Sequence, residues 1–237
     1  MLHPGTGRDP ECIGHLVEAN LDSLTVEYEV LSWDRGDIQS TATILLLHEE
    51  SFYLTIPKGL AEALHSLRLS GKSRMLWIDI ICLNPLDSEE KNQYIEIMPT
   101  VYARSKSLCI WLGNDEKDRN GKLALDFIKN DVLSLRSIEE LWDDPTGSPK
   151  WAAILNIMSP RWFTCRWSIS EVLLAPNAVI ICGKEVISWK AFTEAIQLFI
   201  EVETATHRIS DVMKKDPKYY HIPGWFEYVS ALERVFW

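Results

Sequence analysis

Met75-Leu76-Trp77-Ile78-Asp79-Ile80-Ile81-Cys82-Leu83-Asn84 decides how the chain is read. An apolar run this short predicts a buried strand over 74–80, and parallel strands covered on both faces carry such near-continuous runs. In open α/β sheets, ligands sit beyond the carboxyl ends of the strands. Asp79, Cys82 and Asn84 therefore fall where chemistry or recognition is expected. The simpler role for Asp79 is a side-chain cap on the following turn.

Working outward, strand and helix patterns alternate. Residues 26–32 alternate in strand fashion and run into the loop Trp33-Asp34-Arg35-Gly36-Asp37. Residues 41–47 and 52–55 predict a hairpin. Pro57 suits the start of a helix whose Leu60, Leu64 and Leu67 share one face. Asp87 and Glu90 form a capping-box-like start to a helix carrying Tyr94, Met98, Val101 and Tyr102, interrupted by Pro99. Residues 107–112 predict a buried strand ended by Gly113-Asn114-Asp115, and 122–135 a helix. Residues 143–149 give a strong loop signal, followed by helices over 151–158 and 163–175. A hairpin about Gly183-Lys184 and an amphipathic helix through Trp189, Phe192, Ile196 and Phe199 follow. Strands alternating with helices predict an α/β fold with a mainly parallel sheet.

The 237 residues suit one large domain with an appendage: a leader over 1–25, an α/β domain over 26–206 and a helical extension over 207–237. Ten tryptophans predict an aromatic-rich core or rings that line a site. The net charge of −10 argues against nucleic-acid partners, which need a positive field. Five scattered cysteines fit a reducing compartment better than a disulfide framework. The first residues lack the apolar core of a signal peptide, and no stretch reaches the ~18 apolar residues that a membrane span requires. A cytoplasmic protein without membrane association is expected.

Several chemistry motifs fail. Gly71-Lys72-Ser73 matches the end of a phosphate-binding loop, but Ser66 stands where the first glycine belongs, and a strand follows instead of a helix. Cys12 and His15 have no second pair at metal-ligand spacing, so no metal is expected. Nucleophile-elbow and dinucleotide glycine motifs are absent from the sequence. Three segments keep their interest: Leu31–Asp37, the Asp79–Asn84 strand end, and a segment from Arg161 to Ala175 in which Trp167 and Glu171 share one helical face.

Taken in order, these segments resemble the fungal heterokaryon incompatibility (HET) domain. The matching text is Leu31-Ser32-Trp33-Asp34-Arg35-Gly36-Asp37, Leu76-Trp77-Ile78-Asp79 with Cys82-Leu83-Asn84, Met98 with Val101-Tyr102, Ile110-Trp111-Leu112-Gly113, and Trp167 with Glu171 and Leu174-Ala175. The resemblance covers roughly 26–192. Trp33 stands where that family has Tyr, Arg35 where it has Trp, and Pro85 and Ser170 where it has Gln; Cys165 replaces an Arg. The apolar framework matches while several polar positions differ, which describes a kept fold with an altered site.

The resemblance implies a TIR- or flavodoxin-like α/β domain and a role in nonself recognition or cell-death signalling, as an effector or interaction module with a protein or small-molecule partner. The alternative it opens is an enzyme, either a NAD hydrolase or a catalyst recruited to secondary-metabolite chemistry. In the hydrolase reading NAD enters as a possible substrate, and no cofactor is assigned. The acids expected to act are Asp37, Asp79 and Glu171. Trp33, Asp34, Arg35, Cys82, Asn84 and Trp167 are expected to bind ligand. Arg35 either pairs with Asp34, Asp37 or Asp79 or, as surface arginines usually do, points into solvent.

Overall fold

The computed structural model describes residues 1–5, 11–23, 25–36, 38–84, 87–114, 120–134, 147–158 and 161–214. Asp37, Pro85, 143–146 and 215–237 lie outside the described residues. The chain forms two compact units, one of Met1–Asn114 with Ser170–Val179 and one of Asp115–Ile169 with Ile180–Trp237. Both mix helix and strand, so the protein is α/β, and its sheets are mixed rather than wholly parallel.

In the first unit, β1 (Ile13–Gly14) runs parallel to β3 (Thr41–Leu46). β3 pairs antiparallel with β4 (Phe52–Pro57), the hairpin expected from the pattern. A second set is parallel: β2 (Glu29–Trp33) lies between β5 (Leu76–Trp77) and β6 (Ser107–Trp111). Every residue of β6 is buried, as its unbroken apolar text requires.

The strand expected over 74–80 shortens to Leu76–Trp77 and stands at one end of the strand order. At Asp79 the chain turns into α2 (Asp79–Cys82), and the Asp79 carboxylate accepts the Ile80 N–H at 2.8 Å. A short polar side chain that bonds its own neighbouring backbone competes with the ladder and ends the strand.

α1 (Lys58–Leu67) buries Leu60, Leu64 and Leu67 on one face. A Cβ at Gly59 would stand 3.5 Å from the Trp33 ring, an ordinary packing distance, so this helix lies against the Trp33 side chain of β2. α3 (Ser88–Ala103) starts at Asp87, whose carboxylate accepts the N–H groups of Glu89 and Glu90. This is the N-cap expected from the sequence. After β6 the backbone turns at Gly113 with φ 118°, a conformation that only glycine adopts without strain.

In the second unit, α4 (Asn120–Phe127) continues into a π-helical turn, Ile128–Val132. α5 (Gly147–Met158) begins at residues expected to close a loop, because Pro149 falls in the first helical turn, where its missing N–H has no role. Trp151 meets both Phe127 and Phe199 edge to face, each at 4.9 Å between ring centroids. Trp162 packs against Phe163 and Trp189, so much of the tryptophan content is core. α6 (Arg166–Leu174) follows a short 3-10 turn; β7 (Ala178–Cys182) and β8 (Glu185–Ser188) are neighbours joined across Gly183. α7 (Trp189–Thr206) and α8 (Arg208–Lys214) complete the described chain. Among the described residues no helix is long and apolar enough to cross a membrane.

Candidate functional site

The side chains with the most chemistry converge in the first unit, where β2, α2, α3 and the end of α6 supply one residue after another. Ser32, next to last in β2, is 6% exposed. Its hydroxyl donates to the Glu171 carboxylate. Tyr102, near the end of α3, donates a second hydroxyl hydrogen bond to the same acid. The hydroxyls of Tyr94 and Tyr102 share a further bond. Trp77 stacks on Tyr94 at 5.3 Å between centroids and meets Tyr102 edge-on at 6.4 Å. The phenols stand eight positions apart on α3, a little over two helical turns, so one broad side of the helix carries both.

Burial pushes the Glu171 carboxyl above its ordinary range. The Ser32 and Tyr102 hydroxyls oppose that rise, the negative Asp79 adds to it, and Arg35 counters it. Both phenols are also pushed up, chiefly by burial and then by these carboxylates. At neutral pH the tyrosines are therefore hydrogen-bond donors, and Glu171 is an acid whose charged form the fold disfavours.

Asp79 sits in a different environment. Its second carboxylate oxygen pairs with the Arg35 guanidinium, while its first holds the turn of α2. Arg35 is 63% exposed and Asp79 23% exposed, so this pair stands at the surface side of the site. Asp34 fixes the Arg35 loop by accepting the Gly36 N–H at 3.1 Å. Two carboxyl groups thus lie within electrostatic reach, one ringed by hydroxyls and one tied to a permanent cation. Such pairs divide acid and charge-stabilising roles.

The other expected residues are placed as follows. Trp33 is buried with its ring against α1. Cys82 accepts the Ile78 N–H at 3.4 Å, and Asn84 donates its N–H to Glu90 at 3.1 Å. Trp167, on the same helix as Glu171, is 61% exposed. Asp37 is outside the described residues. Among the described residues no group of three or more His, Cys, Asp or Glu could hold a metal ion. Sequence reasoning passed over Ser32, Tyr94 and Tyr102 as site residues, although each lay in or beside a segment it singled out. The available signal was a polar atom at a position whose neighbours demanded burial.

Comparison with known proteins adds two findings. The family model described as heterokaryon incompatibility protein (HET) matches residues 28–171, which contain every described residue of this cluster. A protein of Neurospora crassa named "Heterokaryon incompatibility protein 6, OR allele" is 28% identical over 201 residues, covering 69% of this chain. The chain spans about 30% of the length of that relative. No solved structure matches the chain.

Proposed function

Since the chain belongs to the HET family, we propose that it acts in fungal nonself recognition as a cytoplasmic effector, through chemistry at the Glu171 site. The functional domain in this reading is 26–206. The parallel set β5–β2–β6 supports a TIR-like arrangement of that domain. The observation that carries the reading is a carboxyl group held by two hydroxyls in a place that disfavours its charge. Carboxyl groups perturbed by burial and a specific charge partner cluster at functional sites.

The reaction we assign is hydrolysis of NAD at the nicotinamide–ribose bond. That bond breaks with its electron pair leaving on the ring nitrogen. Water forms the new bond to the ribose carbon and releases one proton. Positive charge, first on the nicotinamide ring, moves to the ribose in an oxocarbenium-like state. Such a charge beside Glu171 favours the anion that burial opposes, so the carboxylate strengthens as the charge develops. Asp79, paired with Arg35, serves as a second fixed charge more than as a base.

Nicotinamide release from NAD by the purified protein tests this reading. Parent protein should release it, and Glu171→Gln should not while keeping its fold. In a fungal host, the parent should arrest growth and the variant should not. Growth arrest by both proteins, with NAD left intact, would instead favour an interaction module acting without chemistry.

A further inference from the structure

The first unit also encloses a cavity of 520 Å³. Its walls include Ile44 and Leu46 of β3, Leu64 of α1, Ile81 of α2 and Val101 of α3. Trp77, which stacks on Tyr94 of the Glu171 cluster, also lines this cavity, as does Cys82, one of the residues expected to bind ligand. We propose that the cavity is a separate binding site for an apolar small molecule that is uncharged or carries an amine.

Three observations carry the assignment. The volume lies within the roughly 300–1,000 Å³ range of small-molecule sites. The lip is apolar and wet: Leu16, Val17, Val26 and Ile97 all line the cavity yet are 51%, 40%, 38% and 43% exposed. Grouped aliphatic side chains facing water around a concave mouth gain nothing from folding and are covered by a bound apolar molecule. The third observation is charge. Glu18 and Glu90 stand on the lining, which includes no lysine or arginine among the described residues. The lining also carries one cation, the Met1 ammonium, which donates to the His15 carbonyl at 2.6 Å. His15 is kept below its usual titration range by burial, the amine and His3, so it supplies no cation at neutral pH. The two acids outnumber the Met1 ammonium, so carboxylate and phosphate ligands, NAD included, meet a net negative lining, whereas an added ammonium group at the rim meets opposite charge.

The test uses the whole chain and N-phenyl-1-naphthylamine, an apolar amine that fluoresces when it leaves water. It should bind saturably, and dodecylamine should displace it at least tenfold more effectively than dodecanoate, both below micelle formation. Leu16→Trp and Ala19→Trp fill the mouth at positions that are exposed, so the fold is kept. Each should weaken probe binding at least tenfold with an unchanged melting temperature. Glu171→Gln should leave probe binding as it is, which separates this site from the proposed NAD chemistry. Absence of saturable binding, equal displacement by the two chains, or full binding in both tryptophan variants would overturn the proposal.

Discussion

Glu171 shows how a single residue trades fold against function. Its folded pKa lies above the ordinary value near 4.5. The stability linked to it is therefore fully present below that value and is lost as pH rises through the folded pKa. Glu171→Gln keeps the shape, accepts the same two hydroxyl bonds and carries no charge. Its melting temperature should change less than that of the parent between pH 4.5 and 7.5; parallel curves would show that burial does not act on this acid. Arg35 presents the opposite case. An ion pair with a partner this exposed contributes about 0–1 kcal/mol, so Arg35→Ala should leave the melting temperature nearly unchanged. Nicotinamide release should fall at least tenfold, because Asp79 loses the group that orients it. Unchanged release would make Arg35 a surface residue. Asp79 was one of three acids the sequence offered Arg35, with solvent as the alternative, and only the fold brings these positions, 44 apart in the chain, together. Ser32 and Tyr102 were not legible as partners of Glu171. That contact joins positions 139 apart in the chain, and no local pattern encodes it.

Among the elements, local text predicted existence well and extent poorly. β6 and the β3–β4 hairpin follow their apolar patterns closely, whereas β5 stops after two residues because Asp79 bonds its own backbone. A period of two cannot announce where a side chain will capture the next N–H. Trp111 ends β6 at 4% exposure, and Trp111→Ala should cost about 3–5 kcal/mol by equilibrium unfolding. Just beyond it, Gly113→Ala would meet no atom within 4 Å, so any loss is purely conformational. At φ 118° the expected loss is about 1–3 kcal/mol, and a stability equal to the parent would place the turn in another conformation. The strands are also joined by charge. Arg74 forks onto Glu29 at 2.5 and 3.0 Å and reaches the Cys109 sulfur at 3.1 Å. Burial alone would raise Glu29, but the Arg74 bonds and charge outweigh it and hold the acid below its usual range. Burial pushes the Cys109 thiol up to about 12, so this buried cysteine stays protonated. Arg74→Met should cost about 3 kcal/mol at neutral pH by stranding Glu29.

Across the whole molecule, the two acids set opposite slopes. Glu29 contributes stability that is present above the ordinary carboxylate value and is lost as pH falls through its folded pKa. Glu171 weakens the fold as pH rises. Stability should therefore peak in mildly acidic solution, and Glu171→Gln should move the peak toward neutrality in a pH series of melting curves. A peak that stays in place would mean that other groups dominate. The division into two units was hidden from sequence reading, because the charged run after Asn114 has the text of an ordinary loop and no local pattern marks the return to the first unit at Ser170.

That interrupted path has a genetic meaning. The coding sequence for the Glu171 cluster lies in two blocks with the codons for 115–169 between them. A crossover between two alleles within that interval joins the Ser32, Arg35, Asp79 and Tyr102 codons of one parent to the Glu171 codon of the other. Each meiosis can thus reassort the acid and its hydroxyl wall as separate heritable parts, and a premature stop anywhere in the interval removes the acid while leaving the wall encoded.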